Sequence, residues 1–591
     1  MKKALSHRSH RSHRSLTSFA FTLVLAASVA LSASTLTGCA DENDPKTWVK
    51  RLDDPSQRAA AIERLNNFYQ DAYSSHGKKP DAPEVKAIVD VIVEPLTTTY
   101  TKGGLDDKTR KTLIKTLADI RDPRSGPAFA KVFNEYEAGK TDDEVEQASY
   151  AVIGIYKGGG KVDQSVIDAQ WNCFSKFAPT KSKTADGKGA HLKATTALHD
   201  AMLAVKDPSW GAKATDKLKA AVVLDDQPVN DQLDFWQTTS IQILKELKYA
   251  PAAHQLVVVL MTKNKLKIAN NAKTALLNIP KEAVPQLSAG LLGTDPELAA
   301  LQADYGPEKG FVIPLVDVLA YTTTQAAKEA IIQYIPQLDS DQNRMAVATY
   351  LTQFPPDPKV TDAFKGLYAK LPPIAEKGSD DTGRERAQLL QVSGEFGDPS
   401  LVPFIIKEAT SAKGDLVILA EVGGIQAATK VMMPDQVKVV GDALSALEKQ
   451  PLAPGEKQGV ADLRAAYDLA AGVTTKCTKD VACYLGVLDE PVPTGNGANW
   501  KAIKAAAMAG MLGNDATRKT LVEKLPKITN PGARLATATA IDRLTPNGDV
   551  ATAEALEKIV ADDTAKNNLE ALKGDDAVVK VGLRLRARAG Q

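Results

Sequence analysis

Few side chains in this sequence stand at spacings that could do chemistry. Cys477 and Cys483 are six residues apart. In one continuous helix the rise alone would hold them about 9 Å apart, beyond the reach of a disulfide. A bond therefore requires a turn, which Thr478-Lys479-Asp480 can supply ahead of a helix capped by Asp480. An oxidising compartment favours that bond over two buried thiols. His191 and His199 are eight apart, two helical turns, with no acid or cysteine ligand between them, so a metal site is not expected. "YKGGGK" at 156–161 has the glycines and lysine of a phosphate loop, but Val162 stands where Ser or Thr must reach magnesium. It reads as a turn between helices. Asp53-Asp54 and Asp225-Asp226 suit caps and turns, and Cys173 in "WNCF" suits a buried apolar thiol. HExxH, CxxC and GxSxG are absent. The sequence thus offers no catalytic, cofactor-binding or metal-ligating set, and no cofactor is expected.

The fourth cysteine, Cys39, has a different setting. Lys2, Lys3, Arg8, Arg11 and Arg14 precede it, with no acid before Asp41, and a small-residue apolar stretch runs from about Leu16 to Leu36. That is the charge order of a secretory signal. Seven Ser and Thr residues interrupt the stretch, whereas a permanent span wants about 20 predominantly apolar residues. The thrice-repeated Ser-His-Arg at 6–14 then belongs to the segment removed, not to a metal site. Leu36-Thr37-Gly38-Cys39 resembles the bacterial lipobox. The resemblance implies a signal peptide over 1–38, diacylglycerol on the Cys39 thiol, cleavage before Cys39 and acylation of the new amine. Residues 39–46 would be the tether, and the acyl chains would hold the protein to a membrane. Ala40 follows the cysteine and the aspartate comes one place later. By the best-known sorting rule this implies the outer membrane of a bacterial envelope rather than the inner.

Removing residues 1–38 takes five basic groups and no acid from 73 Lys+Arg and 72 Asp+Glu, leaving a formal balance of −4. Nucleic-acid binding wants clustered basic charge, so no such partner is expected. Aromatic residues make up only 5%, and the abundant alanine suits closely packed helices.

Those helices repeat. Five segments align on Arg58, Arg110, Arg344, Arg386 and Arg534. Four residues earlier stand Asp54, Asp106, Ser340, Thr382 and Asn530, all side chains that cap helix N-termini. Pro55 and Pro531 follow two of these caps, where a missing N–H matters little. Seven residues after each arginine come Leu65, Leu117, Leu351, Ser393 and Ile541; ten after, Phe68, Ile120, Phe354, Phe396 and Leu544. With Ile62, Leu113, Val347, Leu389 and Ala538 they form one apolar stripe at helical spacing. Gln70, Asp122, Pro356, Asp398 and Pro546 mark the stops, after which a second helix begins, as in "SGPAFAKVF" and "SLVPFIIKEA". Arg344 to Arg386 is 42 residues, within the ~40–47 of HEAT-type repeats. The pattern resembles the short bacterial HEAT-like repeats, including those of phycobilin lyases.

The resemblance implies an all-α fold, an α-solenoid of stacked antiparallel helix pairs over 47–591, looser in its middle. Breaks are expected near 179–191, 371–383, 450–459 and 489–499, where turn formers and charges cluster. The aligned arginines are expected in the first turns of their helices, near the wetter capped end, bonding an adjacent unit or solvent, and "LRLRARAGQ" (583–591) as a last helix's polar face or a frayed tail. The function expected is a non-enzymatic scaffold presenting a curved surface to another envelope protein. An enzyme or accessory subunit on a HEAT-like frame, or an organiser of the cell wall, stays open beside it. Cys39→Ala should abolish acyl labelling in cells and block lipoprotein processing. Unchanged labelling of that variant would contradict the anchor.

Overall fold

A computed structural model describes residues 41–176, 190–220, 227–374, 383–413, 416–490 and 499–590. Cys39 and the signal segment lie outside these residues, as do most of 179–191, 375–382 and 491–498. The described chain is all-α: short helices joined by tight turns, each packed on the next and on the one after that. This is a HEAT-like α-solenoid. No described helix is long and apolar enough to cross a membrane.

The repeat seam is buried as its spacing demands. Leu65, Leu117, Leu351 and Ile541 are fully buried, and Ser393 takes the same place in its unit. Ile62, Leu113, Val347, Leu389 and Ala538 lie beside them in the core. Asp106, Ser340 and Asn530 cap their helices by accepting the N–H three residues on. Asp54 instead closes a turn, accepting the Ser56 N–H, and its helix runs from Arg58 to Ser75. The expected stop at Gln70 is therefore overrun by five residues, because no proline or left-handed residue interrupts the pattern there. Thr382 lies outside the described residues; helix Arg384–Val392 is entered from Gly383, whose φ of +86° suits glycine. The break expected at 450–459 is short. Pro454 opens a 24-residue helix to Cys477, with the Glu456 carboxylate accepting the Ala453 N–H.

The aligned arginines are not solvent-facing decoration. Arg58 Nε donates to the Leu52 carbonyl at 2.7 Å, Arg344 to Leu338 at 3.1 Å and Arg534 to Ile528 at 3.0 Å, each six residues back. Arg386 reaches Leu371 and Ala369, both at 3.0 Å, across the longer insertion before it. Each accepting carbonyl lies at the end of the preceding helix, where the last carbonyls have no partner within the helix. The cation also meets the negative end of the helix dipole. Arg110 departs from the pattern and pairs with Glu144.

Arg534 departs furthest from the wet position expected of it. Its side chain is fully buried, bonded to Asp563 at 2.5 Å and Asp575 at 2.6 Å, and also to the Leu525 carbonyl. Neighbouring helices cover it because Gly574 of the last helix leaves room for its methylenes. The basic end is likewise no frayed tail. Helix Leu569–Arg588 buries Arg584 and the Arg588 guanidinium on Asp542, at 3.1 and 2.5 Å.

Arg344 and Arg534 should therefore part company on truncation. Arg534→Ala leaves two buried carboxylates without their cation, a loss of about 3–5 kcal/mol. Arg344→Ala, with its half-exposed Asp341 partner, should lose about 1 kcal/mol. Leu351→Asp, which buries a bare charge in the seam, should resemble Arg534→Ala. Urea unfolding followed by hydrogen exchange would show this, with losses centred on the mutated unit. Equal small losses for both arginines would contradict the assignment.

Candidate functional site

Two places bring together side chains that no single helix could assemble. One is an open cleft of about 930 Å³ in the first units. Four helix ends converge on it: the C-termini of Pro83–Lys102 and Gly126–Asn134, and the N-termini of Asp107–Ile120 and Asp142–Lys157. At its floor Glu144 is buried and accepts from Arg110 Nε at 3.0 Å and from the Tyr100 hydroxyl at 3.3 Å. Burial raises the Glu144 carboxyl above its ordinary range, while Arg110 and Tyr100 oppose the shift. Burial and the Glu144 charge also push the Tyr100 hydroxyl well up. Asp142 accepts from the Tyr136 hydroxyl at 3.0 Å and the Gly139 N–H at 2.8 Å. The rim carries Lys131 with Glu135 and Lys140 with Glu137. Both buried carboxylates are held by donors, which fits a shaped recognition surface better than a reactive centre.

The other place is a seam where the array folds back on itself. Helix Leu569–Arg588 packs on Val312–Thr322, and Trp500–Leu512 packs on Val417–Val431. Arg584 donates to the Tyr321 carbonyl at 3.2 Å and to Gln353 at 2.6 Å, from 263 and 231 residues away. Arg543 donates to the Gly397 carbonyl, 146 residues away. Lys504, fully buried, donates to the Met432 carbonyl at 2.6 Å and to Lys430 at 3.2 Å, at the end of Val417–Val431. The last units therefore meet helices Val312–Thr322 and Val417–Val431 and the turns at Gln353 and Gly397.

The residues singled out by spacing fall as follows. Cys477 and Cys483 are joined across the turn before helix Val481–Val487, their Cα atoms 5.4 Å apart, with Asp480 capping. Cys173 is a buried free thiol, pushed far up by desolvation. The His191 side chain lies outside the described residues; His199 Nδ1 sits 3.0 Å from Thr239 Oγ1. Glycines 158–160 form a turn between helices. Among the described residues no group of three or more metal-ligating side chains converges. Glu144, Lys504 and Asp542 were missed. Only Lys504 left a trace: with Met508 and Met511 it keeps helical spacing on an apolar face.

No protein-family model matches the sequence, and no curated protein is similar to it. Solved structures similar to it include a mutant of Kap121p at 11% identity and a TM-score of 0.38, with 88% of this chain and 66% of that one covered. Importin beta follows at 11% and 0.34, covering 88% and 79%. Kap121p bound to Nup53p stands at 13% and 0.32, covering 89% and 55%. The chain thus spans about two thirds, or about half, of the Kap121p chains. At these values the likeness extends to no site.

Lys504 gives the seam a pH signature. Burial draws its ammonium down to about 7, while an unfolded lysine titrates near ~10.4. Below the lower value both states hold the proton and the burial penalty acts in full. As pH rises past it the folded chain releases its proton first, the unfolded state binds more, and stability from this site increases. The stability advantage of wild type over Lys504→Met should therefore grow from neutral to mildly alkaline pH. A difference that stays flat in denaturant titrations across that range would contradict it.

Proposed function

We propose that this chain is a bacterial envelope lipoprotein, tethered by lipid on Cys39, that holds another envelope protein on its solenoid without catalysing a reaction. The observation that supports this most is the cleft of about 930 Å³ in the units next to the tether. It is polar, open and lined by helix ends. Its rim offers alternating lysines and glutamates, and its buried acids already have donors. Such a surface recognises a shaped partner rather than activating a small substrate. The seam supports the assignment to the first units, because the last helices already pack on Val312–Thr322 and Val417–Val431 further along. The lipobox-like Leu36–Cys39 supports a lipid anchor and Ala40 after it supports the outer membrane over the inner, where an oxidising compartment would keep Cys477 and Cys483 bonded.

Crosslinking in intact cells followed by affinity capture tests the reading. One protein should be recovered in fixed ratio with wild type, and lost with Lys131→Glu combined with Lys140→Glu while the folded signal persists. Equal recovery from that variant would remove the cleft from the account. Wall fragments in place of a protein would favour the structural role, and turnover of a substrate by the purified chain would favour an enzyme.

A further inference from the structure

A second cavity, of about 290 Å³, remains inside the seam where the two arms face one another. One wall is apolar, built from Phe354, Pro355, Phe396 and Leu535; the other presents Arg543, Lys580 and Arg584. The three cations come from two helices of the last units, and two of them are also tied to the opposite arm.

The charges here do not balance locally. Two carboxylates line the cavity, Glu395 and Asp542. Glu395 is taken by Lys430 at 2.7 Å, and Asp542 is shared between Arg584 and Arg588. Further off, Asp317 is engaged by Lys273, while Asp398 accepts from the Ser400 N–H and the Thr361 hydroxyl. Arg543 is left with a neutral carbonyl, that of Gly397, and Lys580 lies 5.0 Å from the centre of the Tyr321 ring. Both are part-buried, and a cation partly withdrawn from water gains from an anion beside it. Desolvation pulls Arg543 down to about 10 against the charge of Asp398, and Lys580 down to about 8, where repulsion from Arg584 and Lys273 adds to it and Asp317 and Asp542 oppose it. An anion between them would reverse both shifts.

We propose that this cavity binds an amphipathic organic anion, a carboxylate or phosphate head on a short apolar body, with the head at Arg543 and Lys580 and the body against the Phe354–Phe396 wall. The volume admits a small organic body, not only an inorganic ion. The binding is independent of the cleft and of any protein partner, so either reading can fail alone.

Calorimetric titration of the full mature chain with octyl phosphate, octanoate and uncharged octyl glucoside, each below its micelle concentration, tests this. One site per chain should take octyl phosphate or octanoate, and whichever binds tighter identifies the head. Lys580→Gln should weaken that binding about tenfold or more, the loss of one charge-assisted bond, and Lys580→Arg should restore most of it. Lys580 makes no long-range hydrogen bond or ion pair, only the contact with the Tyr321 ring, which Lys580→Arg keeps, so thermal melts of that variant should match wild type and those of Lys580→Gln should fall only slightly. Equal binding of octyl glucoside, no binding of either anion, or full affinity in Lys580→Gln would each overturn the proposal.

Discussion

Every turn in a solenoid of short helices ends in carbonyl groups that the helix itself cannot satisfy. Where those ends are buried against a neighbouring unit, water cannot reach them either. This chain meets the constraint with cations. Arg58, Arg344, Arg386 and Arg534 reach the end of the preceding helix. Lys265 reaches a helix end further back, the Leu218 carbonyl at 2.6 Å, and Lys309 one further on, the Gln337 carbonyl at 3.0 Å. A guanidinium or ammonium suits the task twice over, as a strong donor and as a charge opposite to the helix dipole. The repeat is held as much by these polar ties as by its apolar stripe.

The same interaction, used over long range, closes the array. Lys504, Arg543 and Arg584 each find a carbonyl at the end of a helix far away in sequence. Stacked units ordinarily touch only their neighbours, so a solenoid tied in this way exchanges extensibility for a defined shape. Gly510 shows how tightly the last units stack: a Cβ there would meet the Ala540 Cα at 2.8 Å. Parts of the surface around Tyr321, Gln353, Gly397 and Met432 are then taken up by the last units, while the cleft of the first units stays open. In the last units the buried carboxylates follow the same logic: Asp542, Asp563 and Asp575 are all claimed by arginines.

The local half of this design was legible in the sequence. Caps at Asp106, Ser340 and Asn530, and the seam through Leu117, Leu351 and Ile541, follow from spacing alone because helical period and capping chemistry are local. The start of the second helix after Asp122 and Asp398 is equally plain, since each aspartate precedes a proline and accepts the N–H two residues on. The role of the arginines was not legible. Six-residue ties depend on where the preceding helix stops, and the apolar stripe does not record that. Nor was the closure. Asp542 resembles any acid on a helix until the next packed helix brings Arg584 and Arg588 onto it, and the tie of that helix to Tyr321 is a fold-back that no periodicity encodes. Glu144 likewise acquires meaning only when Tyr100 and Arg110 converge on it from two other helices.

The central claim is that cations on helix-end carbonyls fold the last units back onto the middle of the array. Small-angle X-ray scattering of the mature chain in solution tests it most directly, compared with the double variant Arg543→Ala, Arg584→Ala, which removes the ties to Gly397, Tyr321 and Gln353. The account predicts that wild type scatters as the closed path described above, with a single compact maximum dimension, and that the variant shifts toward a longer one. A wild-type profile already matching an extended superhelix, indistinguishable from the variant, would contradict it.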